Sequence, residues 1–125
     1  MPHEKLAHKL KKSCKAENLV AQTLANQGWR ILARNFRVVG AELDLVAQKG
    51  GTIAIVEVKA RAKKPDSLAD VETLLPQRKR NALQRGGLAY LSRFSLIPST
   101  IRFDLAIVWG SGTTPHSIEY VVNAF

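Results

Sequence analysis

The segment Gly40–Arg61, GAELDLVAQKGGTIAIVEVKAR, reads as two strands closed by the glycine pair Gly50-Gly51, a turn signal typical of β-hairpins. Both strands are aliphatic and β-branched, yet each carries carboxylates among its apolar residues. A two-residue turn sets Lys49 opposite Thr52, and the same register sets Ala47 opposite Ala54, Leu45 opposite Val56 and Leu43 opposite Val58, giving one wholly apolar side. The other side pairs Val46 with Ile55, Asp44 with Glu57 and Glu42 with Lys59. Directly opposed residues hold their Cβ atoms about 4.5–5.5 Å apart, so this register forces Asp44 against Glu57. Two like charges at that spacing repel, and one pKa rises unless a cation sits between them. A divalent ion held by oxygens, Mg²⁺ or Mn²⁺, removes the conflict, and Lys59 follows on the same side, where it can meet the charge of a phosphate. The alternative is an exposed strand side on which Glu42 and Lys59 form a cross-strand ion pair while Asp44 and Glu57 are simply solvated. Against it stand the apolar far end of that side, Val46, Ile53 and Ile55, and the scarcity of acids in a basic chain.

Outward from the hairpin, the pattern predicts a helix from about Ser13 to Gln27, stopped by Gly28, with Leu6, Leu10, Val20, Ala21 and Leu24 along one stripe and Glu17 inside it. A strand over about Arg30–Arg37 precedes Glu42–Gln48 and Thr52–Ala60, making a three-strand meander. The polar stretch RAKKPDSLAD reads as a loop. A second helix runs from about Pro76 to Phe94 with Leu83, Gly87, Tyr90, Leu91 and Phe94 inward, and Gly86-Gly87 in its middle predicts a close backbone approach. TIRFDLAIV, with Ile101, Phe103, Leu105 and Ile107 on one side, is a fourth strand, and SIEYVV beyond the turn-rich Gly110–Pro115 is a fifth. The third strand reaches the fourth through a helix, so the two should run parallel with a right-handed crossover. The expected class is α/β: a mixed sheet flanked by helices.

A chain of 125 residues is about one domain in length, read as 1–125 with residues 1–12 a basic flexible extension. Nineteen Lys and Arg against ten Asp and Glu give +9, a field that attracts polyanions, so nucleic acid leads as partner, with DNA ahead of RNA. Cys14 stands alone, which rules out an internal disulfide and a thiolate metal cluster. No apolar run is long enough to cross a bilayer, and a cytoplasmic location is expected. His3, His8 and His116 are too scattered to read as a metal set, and Trp29, Trp109, Tyr90 and Phe94 read as core rather than base-stacking platforms. Asp104 and Arg102 share a strand side and read as a structural ion pair.

Asp44 followed by Glu57-Val58-Lys59 across a hairpin, with Glu17 on a preceding helix, resembles the PD-(D/E)xK signature of the restriction-endonuclease-like fold, in the arrangement of archaeal Holliday-junction resolvases. More closely, the segments AENLVAQTLANQGWRILARNFR, GAELDLVA, VEVKAR, KRNALQRGGLAYL, RFDLAIV and NAF, which cover most of Ala16 to Phe125, resemble the bacterial YraN-like family of small predicted nucleases. The resemblance implies that Asp44 and Glu57 ligate a Mg²⁺ or Mn²⁺ ion, that Val58 lends its backbone carbonyl, that Lys59 acts on water or phosphate, and that Glu17 is an outer or second-metal carboxylate. The sequence departs from the family pattern where Ala41 intervenes between Gly40 and Glu42, and no proline precedes Asp44.

Arg61, Lys63 and Lys64 after the hairpin, with Arg78 and Lys79 on the second helix, are the candidate phosphate contacts; for the helix pair a solvated face accounts for the charge equally well. Three functions remain open at this level: a metal-dependent nuclease, a noncatalytic nucleic-acid-binding module on the same fold, and an RNA-associated structural protein. A resolvase-like role would require a homodimer to cut two strands symmetrically.

Overall fold

The computed structural model describes residues 15–62, 74–110 and 117–125. The segment 1–12, Leu6, Leu10, Cys14, Lys63, Lys64, His116 and most of the loop 110–115 lie outside the described residues. Helix α1 (15–26) leads into strands β1 (Arg30–Val38), β2 (Ala41–Lys49) and β3 (Thr52–Arg61), then helix α2 (Gln77–Arg93) and strands β4 (Thr100–Trp109) and β5 (Ser117–Val121). The strands form one sheet in chain order. β1, β2 and β3 are an antiparallel meander, β3 and β4 are parallel across α2, and β5 returns antiparallel to β4. This is the expected mixed α/β sheet, consistent with the restriction-endonuclease-like arrangement. No helix among the described residues is long and apolar enough to cross a membrane.

Strand alternation sends successive side chains to opposite sides, and each side has its own core. Ala16, Val20, Ala21 and Leu24 of α1 pack with Leu45, Ala47, Ala54, Val56, Ala106 and Val108. Leu83, Tyr90 and Leu91 of α2 pack with Leu43, Val46, Ile53 and Ile55. Leu105, Ile107 and Trp109 extend the α2 side beyond the helix, where Leu74 covers them. Phe94, read from the sequence as inward, is 46% exposed at the end of α2, although its ring still meets Phe36 and Tyr90.

The glycines account for both ends of this packing. Gly28, at φ +94°, ends α1 as a left-handed residue: its N–H donates to the Ala25 carbonyl at 3.0 Å and the Trp29 N–H to the Leu24 carbonyl at 2.9 Å, the double closure of a Schellman motif. Gly86 and Gly87 let α2 lie close on the sheet. A Cβ at Gly86 would stand 2.8 Å from Val38 Cγ2, and one at Gly87 would stand 2.9 Å from Phe103 Cε1 and 3.0 Å from Ile55 Cγ1.

One charged group is sealed in the sheet. Asp104, fully buried, accepts from Arg102 Nη2 at 2.8 Å, from the Tyr120 hydroxyl at 2.6 Å and from the Asn123 N–H at 2.9 Å. The expected Arg102 pair is present, and Tyr120 of β5 and Asn123 just beyond it add two donors from residues distant in sequence. Burial, then the hydrogen bond to Asp104, pushes the Tyr120 phenol up.

Two outcomes follow for stability, both read by urea denaturation. Gly87→Ala gains about 1 kcal/mol of helix propensity but crowds Phe103 and Ile55, and is expected to lose about 1–3 kcal/mol net. Asp104→Ala strands Arg102, Tyr120 and the Asn123 N–H together, and is expected to cost about 3–5 kcal/mol, more than Tyr120→Phe, which removes one donor only.

Candidate metal and phosphate site

The β2–β3 ladder runs as the hairpin register predicts from Lys49 opposite Thr52 to Leu45 opposite Val56, and there it stops. The further pairs expected from the sequence, Asp44 with Glu57, Leu43 with Val58 and Glu42 with Lys59, do not form as ladder pairs. The reason lies on the other side of β2. Its register with β1 sets Arg34 against Leu45 and Phe36 against Leu43, and between them Asn35 takes a left-handed φ of +48°. Leu45 consequently packs on the α1 side and Leu43 on the α2 side, although the two are only two residues apart. The strand rotates about Asp44, and the wholly apolar hairpin side expected from the sequence ends at Leu45.

That rotation turns the Asp44 side chain toward β3. Its Oδ2 accepts the Val58 N–H at 2.9 Å, taking the place a strand carbonyl would have held. In an extended strand the N–H and C=O of one residue project toward the same neighbour, so the Val58 carbonyl faces this gap as well. Glu57 lies 5% exposed, and its carboxyl is within hydrogen-bond reach of that of Asp44. The meeting of the two acids is thus kept, by a different route: Asp44 reaches across the end of a split ladder instead of standing opposite Glu57 within it.

Electrostatics mark the pair as unbalanced. Burial first, then the hydrogen bond and charge of Asp44, push Glu57 up to about 9, with Lys59 and Lys79 pulling the other way. Glu57 Oε2 is buried without a hydrogen-bond partner. Lys59 is half-buried two residues along β3. Lys79, from the first turn of α2, is exposed and near enough for its charge to act on Glu57. Arg61 and Arg78 are exposed, and Arg61 Nη1 folds back onto the Ala60 carbonyl at 2.8 Å. Glu42, expected near Lys59, instead pairs with Arg37 at 3.6 Å on the solvent side.

Glu17 approaches from the opposite side of the sheet, on the inner stripe of α1 and 6% exposed. Burial raises its pKa, a hydrogen bond from Asn35 lowers it, and the charge of Asp44 raises it again. Its Oε2 too is buried without a hydrogen-bond partner. Among the described residues no three or more His, Cys, Asp or Glu side chains gather as a metal set, so Glu17 does not close with Asp44 and Glu57 into a three-carboxylate cage. Asn35, which both rotates the strand and holds Glu17, was not singled out from the sequence. Its one signal is an asparagine within a strand pattern, the residue type that tolerates a left-handed backbone.

Two carboxylates, a strand carbonyl facing the same gap and an unpartnered buried oxygen suit a small hard cation, which takes one or two protein carboxylates and leaves its other positions to water and phosphate.

Residues 16–108 match the family described as "Uncharacterised protein family UPF0102". Among the similar curated proteins, a UPF0102 protein of Trichlorobacter lovleyi is 41% identical over 87% of this chain and 85% of its own length. One of Pelobacter propionicus is 35% identical over 89% and 79%, and one of Methylorubrum extorquens is 42% identical over 74% and 70%. The segments that resemble the YraN-like proteins are therefore shared along nearly the whole chain, and the protein belongs to the UPF0102 family.

Proposed function

We propose that the protein is a metal-dependent nuclease that hydrolyses phosphodiester bonds, with DNA ahead of RNA as substrate. The observation that carries this reading is the Asp44–Glu57 pair: a buried acid beside a half-buried one within a chain of charge +9, the buried one with an oxygen left without a partner. Asp44 serves the fold by accepting the Val58 N–H, but Glu57 has no such duty, and burying an acid beside a like charge is costly unless a cation neutralises the pair. Bound there, Mg²⁺ or Mn²⁺ supplies a water of lowered pKa and a Lewis-acid contact to a phosphate oxygen. Asp44, fixed by the Val58 N–H, and Glu57 would hold it, and the Val58 carbonyl would offer a third oxygen. Lys59 directs its ammonium to the negative charge that builds on the attacked phosphate or to the hydrolytic water. Glu17, behind Asp44, adds negative potential to the same gap. Lys79, Arg78 and Arg61, with Lys63 and Lys64 beyond Arg61, contact the backbone phosphates of the strand and carry no base specificity. A noncatalytic binding module would use the same basic surface, but it leaves the cost of the acid pair unexplained. Cutting two strands symmetrically would call for a homodimer.

Cleavage is measured on linear, flapped and four-way DNA and on RNA, with Mn²⁺ or Mg²⁺. Asp44→Asn is expected to abolish it and Lys59→Ala to lower it about 10²–10³-fold, with binding of the substrate retained in both. Activity undiminished in the two variants would expose a contaminant, and binding without cleavage under every condition would leave the binding module.

The acid pair also sets a pH dependence. Glu57 has a folded pKa above its value in the unfolded chain, so between pH 4.5 and about 9 the native state holds a proton that the unfolded chain releases. Stability is full below that window and falls as pH rises through it, by on the order of 3–6 kcal/mol without metal. Urea titrations in EDTA should show this slope, Glu57→Gln should flatten it, and Mn²⁺ should restore stability at pH 8 in the parent protein but not in Asp44→Asn. A parent protein with a flat profile in EDTA would remove the buried-acid reading.

A further inference from the structure

At the far end of β3 from the acid pair, about five strand residues or roughly 17 Å away, a cleft of about 390 Å³ opens on the α1 side. Leu24 and Gln27 come from the end of α1, Trp29 follows them, Lys49 and Thr52 flank the hairpin turn, and Arg102, Tyr120 and Val122 complete the lining.

Its electrostatics favour an anion. Arg102 and Lys49 are the two charged residues lining it. The one acid bound to Arg102, Asp104, is sealed below with its oxygens committed to Arg102, Tyr120 and the Asn123 N–H. Among the described residues Lys49 meets no acid, so its charge stands at the rim without a countercharge from them. The helix end would ordinarily repel an anion, since its carbonyls carry partial negative charge. Here the carbonyls of Thr23, Leu24 and Ala25 each accept an N–H from Gln27, Gly28 or Trp29, and that of Gln27 accepts Lys49 Nζ at 2.7 Å. Arg102 Nε is buried without a hydrogen-bond partner, a donor unused by the fold. The Trp29 ring lines the same cleft with the Arg102 guanidinium over it, 5.0 Å from its centroid, so that aromatic surface and cation adjoin on one wall. Volume, two cations and an aromatic wall together match a small ligand with one anionic and one planar end.

We propose that this cleft is a second ligand site, separate from the acid pair, which takes a phosphate monoester carried on a nucleoside: the phosphate between Lys49 and Arg102, the nucleoside against Trp29 and Leu24. The monoester comes either from a free mononucleotide or from the phosphorylated end of a strand. The site does not depend on whether the acid pair hydrolyses anything.

The full chain is titrated in EDTA, so that no metal occupies the carboxylates, and the tryptophan emission is followed together with calorimetric heats. The probes are adenosine 5′-monophosphate, adenosine, and a pentanucleotide with and without a 5′-phosphate. The monophosphate should bind and adenosine should bind at least about tenfold more weakly, since the charge-assisted contacts are lost. Thr52→Glu, which cancels the rim charge without touching the Arg102–Asp104–Tyr120 cluster, should weaken binding about tenfold, and Lys49→Ala by a similar factor, while Asp44→Asn binds as the parent does. Saturable binding of the monophosphate assigns a free nucleotide. Binding of the 5′-phosphorylated oligonucleotide alone assigns a strand end. No saturable binding of any phosphorylated probe overturns the proposal, as does binding that survives Thr52→Glu and Lys49→Ala intact.

Discussion

A single hydrogen bond organises the centre of this protein: the Val58 N–H donating to Asp44 Oδ2 across the place where the β2–β3 ladder ends. Because the side chain and not a backbone carbonyl accepts that N–H, β2 and β3 part beyond Leu45 and Val56. The gap admits the carboxyl of Glu57 and the Val58 carbonyl together. The same bond fixes one Asp44 oxygen in the plane of the sheet. An acid placed by ordinary alternation would have pointed squarely to one side of the sheet, with Glu57 and Glu17 on opposite sides of it. Turned into the plane, Asp44 feels both.

The supports of that centre are mechanical. The left-handed Asn35 rotates β1 and β2 locally, α2 seats against Val38, Phe103 and Ile55 through its two glycines, and Asp104 ties β4 to β5 behind the site. Each brings a different kind of stiffness, from backbone conformation, close packing and a saturated buried charge. All three act on strands that carry or flank the acids. A stiff frame around an unbalanced electrostatic centre keeps its charges from relaxing apart.

Much of this was legible in the chain. The glycine turn fixed the hairpin register from Lys49 to Leu45, helix α2 between two aliphatic strands implied the parallel β3–β4 pair, and Gly86-Gly87 announced the close helix. The register beyond Leu45 was not legible, because periodicity assumes that a strand keeps its twist. Asn35 breaks that assumption through a backbone angle that its residue type permits but does not demand. Arg102 and Asp104 could be paired from their spacing along one strand, whereas Tyr120 and Asn123 reach Asp104 only through the return of β5, which local pattern does not encode. The cleft beside Trp29 escaped for the same reason, since its walls come from four separate segments.

The seating of α2 has a consequence for how the family can vary. With Gly86 and Gly87 locked against the sheet, the helix can neither roll nor slide, so its outward residues, among them Arg78, Arg85, Leu88 and Ala89, are exposed and free of packing duty. Drift at those positions can change the charge and shape of the outer surface without disturbing the placement of Lys79 relative to the acids. One face of the helix is thereby bound to the frame while the other is left open to change.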